Sequence, residues 1–340
     1  MSSISSEGVQ TQSTTVSKLN FEFRGDGMEY FKIWIVNVLL TIVTLGIYSA
    51  WATVRNNRYF YSHLYLDNNN FRYLAEPLTI LKGRIIAIVA LILFTFISQM
   101  FPIAGIGLTV LLVFSIPYFV NQSLAFNNRM SSYKNIKFRF KATYGEAFMV
   151  LYVWPLIGIL TLGILYPLAL LKLNQFIVRN TAYGTTKFEF NATFKEYGKI
   201  FLIMLGTGLV VAAPAWAIAK FVPSLAIISP LIIAALYFGL IVFFMVKTTN
   251  LFYRSSALAE HSFESNLTIP SLAKVILINA LLTLITLGLY LPAAKVRMTK
   301  YICSCLVMNA TDSLDNFAAA EKEQVSALGD ELGQAFDFAV

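Results

Sequence analysis

Three bases recur at one spacing. Arg55, Lys172 and Arg297 each lie nine residues after the glycine of a repeated phrase, Thr44-Leu-Gly-Ile, Thr161-Leu-Gly-Ile and Thr286-Leu-Gly-Leu. Every copy sits in an apolar run, so these bases are carried against or into a bilayer. A cation there needs protein, water or an anionic partner beside it, which would let it hold the phosphate or carboxylate of a substrate or lipid headgroup. The other reading is that the side chains snorkel to lipid phosphate and serve as anchors. Asn37 and Asn279 both stand nine residues before their glycine. They hydrogen-bond between helices or line a polar path. Gly46, Gly163 and Gly288 read as structural hairpin apices, each at the C′ position of a helix where a left-handed cap is needed. Pro167 and Pro292, four residues further on, suit the start of a returning helix.

Other chemistry is not visible. There is no nucleophile elbow, P-loop or dinucleotide fingerprint. His63 and His261 fall in polar stretches, and Cys303 and Cys305 form no metal-ligand pattern. Glu29, Glu146 and Glu196 resemble catalytic carboxylates until their register is read. Each lies three residues after Asp26, Thr143 or Thr193, which is the capping-box spacing of a helix start. The expectation is therefore no enzyme, no cofactor and no metal.

Phe-x-aromatic pairs precede these caps at Phe21/Phe23, Phe71/Tyr73, Phe138/Phe140 and Phe188/Phe190, with Phe263 beginning a degenerate fifth copy. Each unit reads as a short extended segment, a cap, then an apolar helix. Glu29 to Gly46, Glu146 to Gly163 and Ser271 to Gly288 are all 17 residues apart, a register that argues for internal duplication. The units from Phe71 and from Phe188 are longer, each holding two apolar helices with a break at Pro102–Gly107 or at Pro223.

The composition agrees with a membrane protein: 57% hydrophobic and 13% charged, against about 25% charged in soluble domains. Residues 85–120 and 200–246 are each long enough for two spans of about 20 residues. Charge decides how the short units run. If they crossed once, the bases would divide 13 against 11; if they turn at glycine and return, all 24 share one side. The positive-inside rule favours return, with the Phe-x-Phe segments and both termini cytoplasmic. The net charge of +8 then reflects a basic face toward anionic lipid. The basic, aromatic stretch Arg55–Tyr65 is an interfacial belt and not a nucleic-acid surface.

The expected fold is thus an all-α polytopic membrane protein, three short Gly-apex hairpins alternating with two full transmembrane hairpins. Residues 1–19 are a disordered polar tail, 20–309 the repeated membrane domain, and 310–340 an acidic tail with helical spacing of its apolar residues.

The phrases Phe21-Glu-Phe-Arg-Gly-Asp-Gly, Thr44-Leu-Gly-Ile-Tyr with Trp51-Ala and Val54-Arg, and Thr286-Leu-Gly-Leu-Tyr with Pro292 resemble the YjgN family of bacterial inner-membrane proteins. The likeness covers roughly residues 20–309. Where the family often has proline before the tryptophan, this chain has Ala50. The resemblance implies a multi-pass inner-membrane location and supplies no catalytic residues. The leading functional expectation is transport or permeation of a small solute or lipid. The alternative is a non-transporting scaffold that binds partners or anionic lipid. A homo-oligomer is left open.

Overall fold

The computed structural model describes residues 17–221 and 229–311, together with Leu314 and Phe317. The polar segment 1–16, the break at Pro223 and nearly all of the acidic tail lie outside the described residues.

The all-α expectation is overturned by a closed β-barrel. Ten strands pair antiparallel in the order β1-β10-β9-β8-β7-β6-β5-β4-β3-β2, with β1 bonded to both β10 and β2. Five strands of five to seven residues carry the aromatic pairs: β1 (Ser17–Phe23), β3 (Asn69–Tyr73), β5 (Ile136–Phe140), β7 (Thr186–Phe190) and β9 (His261–Ser265). Between them run β2 (Leu64–Leu66), β4 (Ser131–Tyr133), β6 (Thr181–Tyr183), β8 (Ser256–Leu258) and β10 (Leu306–Ala310). Tight turns join each short strand to the next long one. Asp67 and Asn68 have φ of 49° and 55°, and Lys134 and Asn135 have 45° and 66°, the doubly positive signature of a type I′ hairpin turn.

Alternation along the strands fills the barrel. Phe21, Phe71, Phe138, Phe188 and Phe263 pack around a buried cluster of Leu66, Tyr133, Ile136, Tyr183, Leu258 and Met308. The residues between the aromatics, such as Glu22, Arg72 and Arg139, are exposed. The Phe-x-Phe pattern is therefore the period-two pattern of a half-buried strand.

A helical pair connects each long strand to the following short one. The pairs are α1 (Gly27–Val43) with α2 (Ser49–Ser62), α3 (Pro77–Met100) with α4 (Pro102–Arg129), and α5 (Tyr144–Leu160) with α6 (Tyr166–Arg179). They continue with α7 (Phe194–Phe221) and α8 (Ser229–Arg254), then α9 (Ile269–Ile285) and α10 (Leu291–Ser304). Strand direction dictates that all five pairs rise from one rim and all tight turns lie on the other. Each helix packs on the next, and α10 packs back on α1, so the helices form a ring over the barrel. Three described helices are long and apolar enough to cross a membrane: Pro77–Met100, Pro102–Arg129 and Pro230–Arg254.

The three Thr-Leu-Gly phrases make one turn three times. The N–H of Gly46 donates to the Thr41 carbonyl at 2.8 Å and that of Leu45 to Ile42 at 3.1 Å, the paired bonds of a Schellman motif. The same bonds join Gly163 to Gly158 and Gly288 to Thr283, each at 2.8 Å. The sequence places glycine at C′, but that position belongs to leucine. Leu45, Leu162 and Leu287 have φ of 49°, 52° and 49°, and glycine follows at 92°, 89° and 93°. The threonine hydroxyl closes the turn. Thr44 Oγ1 donates to the Leu40 carbonyl at 2.7 Å and accepts the Tyr48 N–H at 2.9 Å, and Thr161 and Thr286 do likewise.

A Cβ on Gly46 or Gly163 would meet nothing within 4 Å, so only backbone conformation requires glycine there. Gly46→Ala or Gly163→Ala should each cost about 1 kcal/mol, read as a lowered midpoint in thermal unfolding of the purified protein. An unchanged midpoint in both variants would refute this account of the turn.

Candidate functional site

The helix starts are built at the rim by caps of three kinds. Asp26 accepts the N–H groups of Met28 and Glu29 at 2.8 and 3.1 Å. Glu29 does not complete a capping box: the Asp26 N–H goes to the Tyr59 hydroxyl at 2.8 Å, and Glu29 lies 3.2 Å from that hydroxyl. Thr143 and Glu146 form the full reciprocal box. At Thr193, the Glu196 carboxylate accepts from both the backbone N–H at 2.9 Å and the hydroxyl at 3.0 Å.

Above two of these caps lie clefts of about 590 Å³ each. One opens between α5 and α6 and is lined by Glu146, Trp154, Lys172, Gln175 and Arg179. The other opens between α7 and α8, where Glu196, Lys199, Lys247, Asn250 and Arg254 line it with a second carboxylate, Glu264, from β9. The two match at several positions, though Lys199 in one stands where Met149 stands in the other. Glu146 and Glu196 are the cap carboxylates; Lys172 and Arg179 are seven residues apart, as are Lys247 and Arg254. Both clefts have an apolar flank, Met149 and Val150 in one and Ile200, Ile203 and Phe243 in the other. Met149–Val153 is a π-helical turn just before Pro155, which has no N–H to continue the ladder.

Of the bases singled out by spacing, only Lys172 lines one of these clefts, with its Nζ 5.7 Å from the Trp154 ring centre. Arg55 is exposed on α2. Arg297 is exposed on α10, its guanidinium 5.9 Å from the Tyr290 ring. The three stand on separate return helices and do not converge. Counting from glycine misses Lys247, because α7 and α8 have no Thr-Leu-Gly apex. Counting back from the strand finds it: Arg55, Lys172, Lys247 and Arg297 each precede the next strand by nine residues. Gln122 holds that place in the second pair.

The buried asparagines bind across hairpins. Asn37 Nδ2 donates to Asn56 Oδ1 at 2.9 Å, and Asn279 Nδ2 to the Ala294 carbonyl at 3.1 Å. Both Oδ1 atoms are buried without a protein partner. Arg84 on α3 reaches α2, donating to Ser49 and, at 2.8 Å, to Thr53. Sequence reading counts it only as one base among many.

Charge in the α7–α8 cleft is only partly neutralised. Arg254 pairs with Glu196 at 2.9 Å, while among the described residues no carboxylate pairs with Lys199 or Lys247. The Thr193 N–H, then its hydroxyl and the Arg254 guanidinium, hold the Glu196 carboxyl below its ordinary range. The N–H groups of Glu29 and Met28 do the same for Asp26. Such a cleft can take an anionic group at its basic wall and an apolar group at its flank.

Comparison with known proteins agrees with the sequence phrases. The family model described as "Bacterial protein of unknown function (DUF898)" matches residues 18–335. A relative from Salmonella typhimurium, "Inner membrane protein YjgN", is 35% identical over 156 residues, 44% of this chain and 39% of that protein. The protein of the same name from Escherichia coli K12 is 29% identical over 153 residues, 43% of this chain and 37% of its own. The chain thus spans about two fifths of the length of the curated relatives it matches. No solved structure matches it.

Glu196 caps most strongly as a carboxylate, which also pairs with Arg254, and its folded pKa lies below the ordinary 4.5. The stability it contributes is present above that ordinary value and is lost as pH falls through the folded one. Glu196→Gln should therefore unfold earlier than wild type at pH 7, and the gap should close on acidification through the pH 4 region. Denaturant midpoints from pH 3 to 7 check this; a gap that stays constant with pH would contradict it.

Proposed function

We propose that this chain, which belongs to the bacterial DUF898 family, is an inner-membrane protein that binds anionic amphiphiles at the rim of its barrel and moves them as a transporter of lipid or small solute. The observation that carries the reading is the pair of matched clefts, each joining unneutralised bases to an apolar flank. In this reading the helical ring lies in the bilayer and the barrel lies on the cytoplasmic side with both termini. The apolar tips support that placement: Leu45, Leu162 and Leu287 are 93–94% exposed, which is stable against lipid tails and costly against water. The base at the shared position takes the headgroup, and no covalent chemistry is required. Repetition of the same turn and the same cleft supports descent from a duplicated unit.

One observation favours a second reading, a scaffold that holds anionic lipid or partner proteins without moving them. The barrel bore is lined with aromatic and aliphatic side chains, so it gives a polar solute no wet route. A transported molecule would have to pass along the helical pairs.

Reconstitution separates these readings. Lys172→Gln combined with Lys247→Gln should weaken binding to vesicles containing phosphatidylglycerol by at least tenfold while leaving the unfolding midpoint near wild type. Headgroup-labelled lipid should cross the bilayer in wild-type proteoliposomes and much more slowly in the double variant. Tight binding without flux in wild type would select the scaffold. Unchanged binding in the double variant would remove the clefts from either role.

A further inference from the structure

The barrel holds a cavity of about 170 Å³ that the rim clefts do not explain. Its described lining is one phenylalanine from each odd-numbered strand, with Met308 and Leu258 among the side chains between them. The wall turns its polar atoms away. Tyr133 donates its hydroxyl to the Leu66 carbonyl at 2.8 Å, and Tyr183 donates to the Tyr133 carbonyl at 3.0 Å. The rings lie around the wall and do not cross it: Phe71 is 4.6 Å from Tyr133, Phe138 5.1 Å from Tyr183, and Phe188 6.2 Å from Phe263. A water needs polar partners, so an apolar cavity of roughly 150 Å³ stays dry and takes benzene or xenon.

Three described residues past β10 lie near the mouth at the turn rim. Past β10, the Thr311 N–H donates to His261 Nδ1 at 3.2 Å and its hydroxyl to the Glu260 carbonyl at 2.8 Å. Leu314 is then 4% exposed against the cavity. The Phe317 ring lies 5.6 Å from Tyr183 and 5.3 Å from His261.

We propose that the bore is a binding site for a hydrocarbon group, the size of a benzene ring or of the last six or so carbons of an alkyl chain, with Leu314 among the residues that line it. An unfilled void costs stability in proportion to its volume, and larger side chains around the wall would reduce it. The five strands instead keep phenylalanine in register and leave the space.

The full chain in amphipol, labelled with ¹³C-methyl methionine, tests this. Met308 lines the bore and reports locally, its resonance assigned by Met308→Leu. Titrated benzene should shift that resonance saturably, while the other methionines drift linearly through general partitioning. Leu314→Trp combined with Phe138→Trp, filling most of the bore from the mouth and from the wall, should abolish the saturable shift. Heptanol in place of benzene separates the sources. A saturable shift with heptanol assigns the site to alkyl chains, and a shift with benzene alone assigns it to small rings. The proposal is overturned if the Met308 resonance stays still or only drifts in wild type, or if the saturable shift persists in a folded filled variant.

Discussion

Closure of the barrel is the constraint on which everything else rests. A three-residue strand such as Leu64–Leu66 cannot hold itself in place; an isolated hairpin of that size is marginal at best. It becomes stable because its second edge bonds to β1, a strand reached only after 40 residues of helical pair. The last link joins Ser17 to Ala310 across nearly the whole described chain. Once that link closes, no edge strand remains. The five helical pairs are then fixed by where their flanking strands stand, and the clefts inherit their geometry from the same ladder.

Some of this was legible in the residues. Phe21 and Phe23 alternate with charged neighbours, which marks extended chain, and the caps at Asp26 and Thr143 mark helix starts through local hydrogen bonds that sequence spacing reports directly. The barrel was not legible. Strands such as Ser256–Leu258 are too short to show a period, and pairing between β1 and β10 is a long-range fact that no local pattern encodes. The turn was read one residue out. Glycine draws attention because it tolerates a positive φ, yet Leu45 bears the left-handed C′ conformation and Gly46 follows at a wider angle.

The candidate site was half legible for a related reason. Lys172 emerged because a glycine marks its hairpin apex, whereas Lys247 follows a longer pair with no such mark. The shared origin of the count is the strand and not the turn. Each return helix must deliver its chain to the barrel in a fixed phase, so residues keep their distance from the strand whatever the length of the helix before it. Arg179 and Arg254, two residues before β6 and β8, obey the same rule.

The alternation of helix lengths has a mechanical meaning. α1 and α9 have 17 residues each, about 25 Å of rise, while α4 has 28, about 42 Å. All leave one rim, so their tips end at unequal heights, and the ring brings two short pairs, α9–α10 and α1–α2, side by side. Against a bilayer hydrocarbon core of about 30 Å, the longer helices of that sector fall slightly short of a full span, while α4 exceeds one. In the membrane placement proposed above, the protein is shallower on one side, and lipids beside the short sector would thin or tilt to meet it, a preferred orientation toward membrane curvature that a bundle of equal helices would lack.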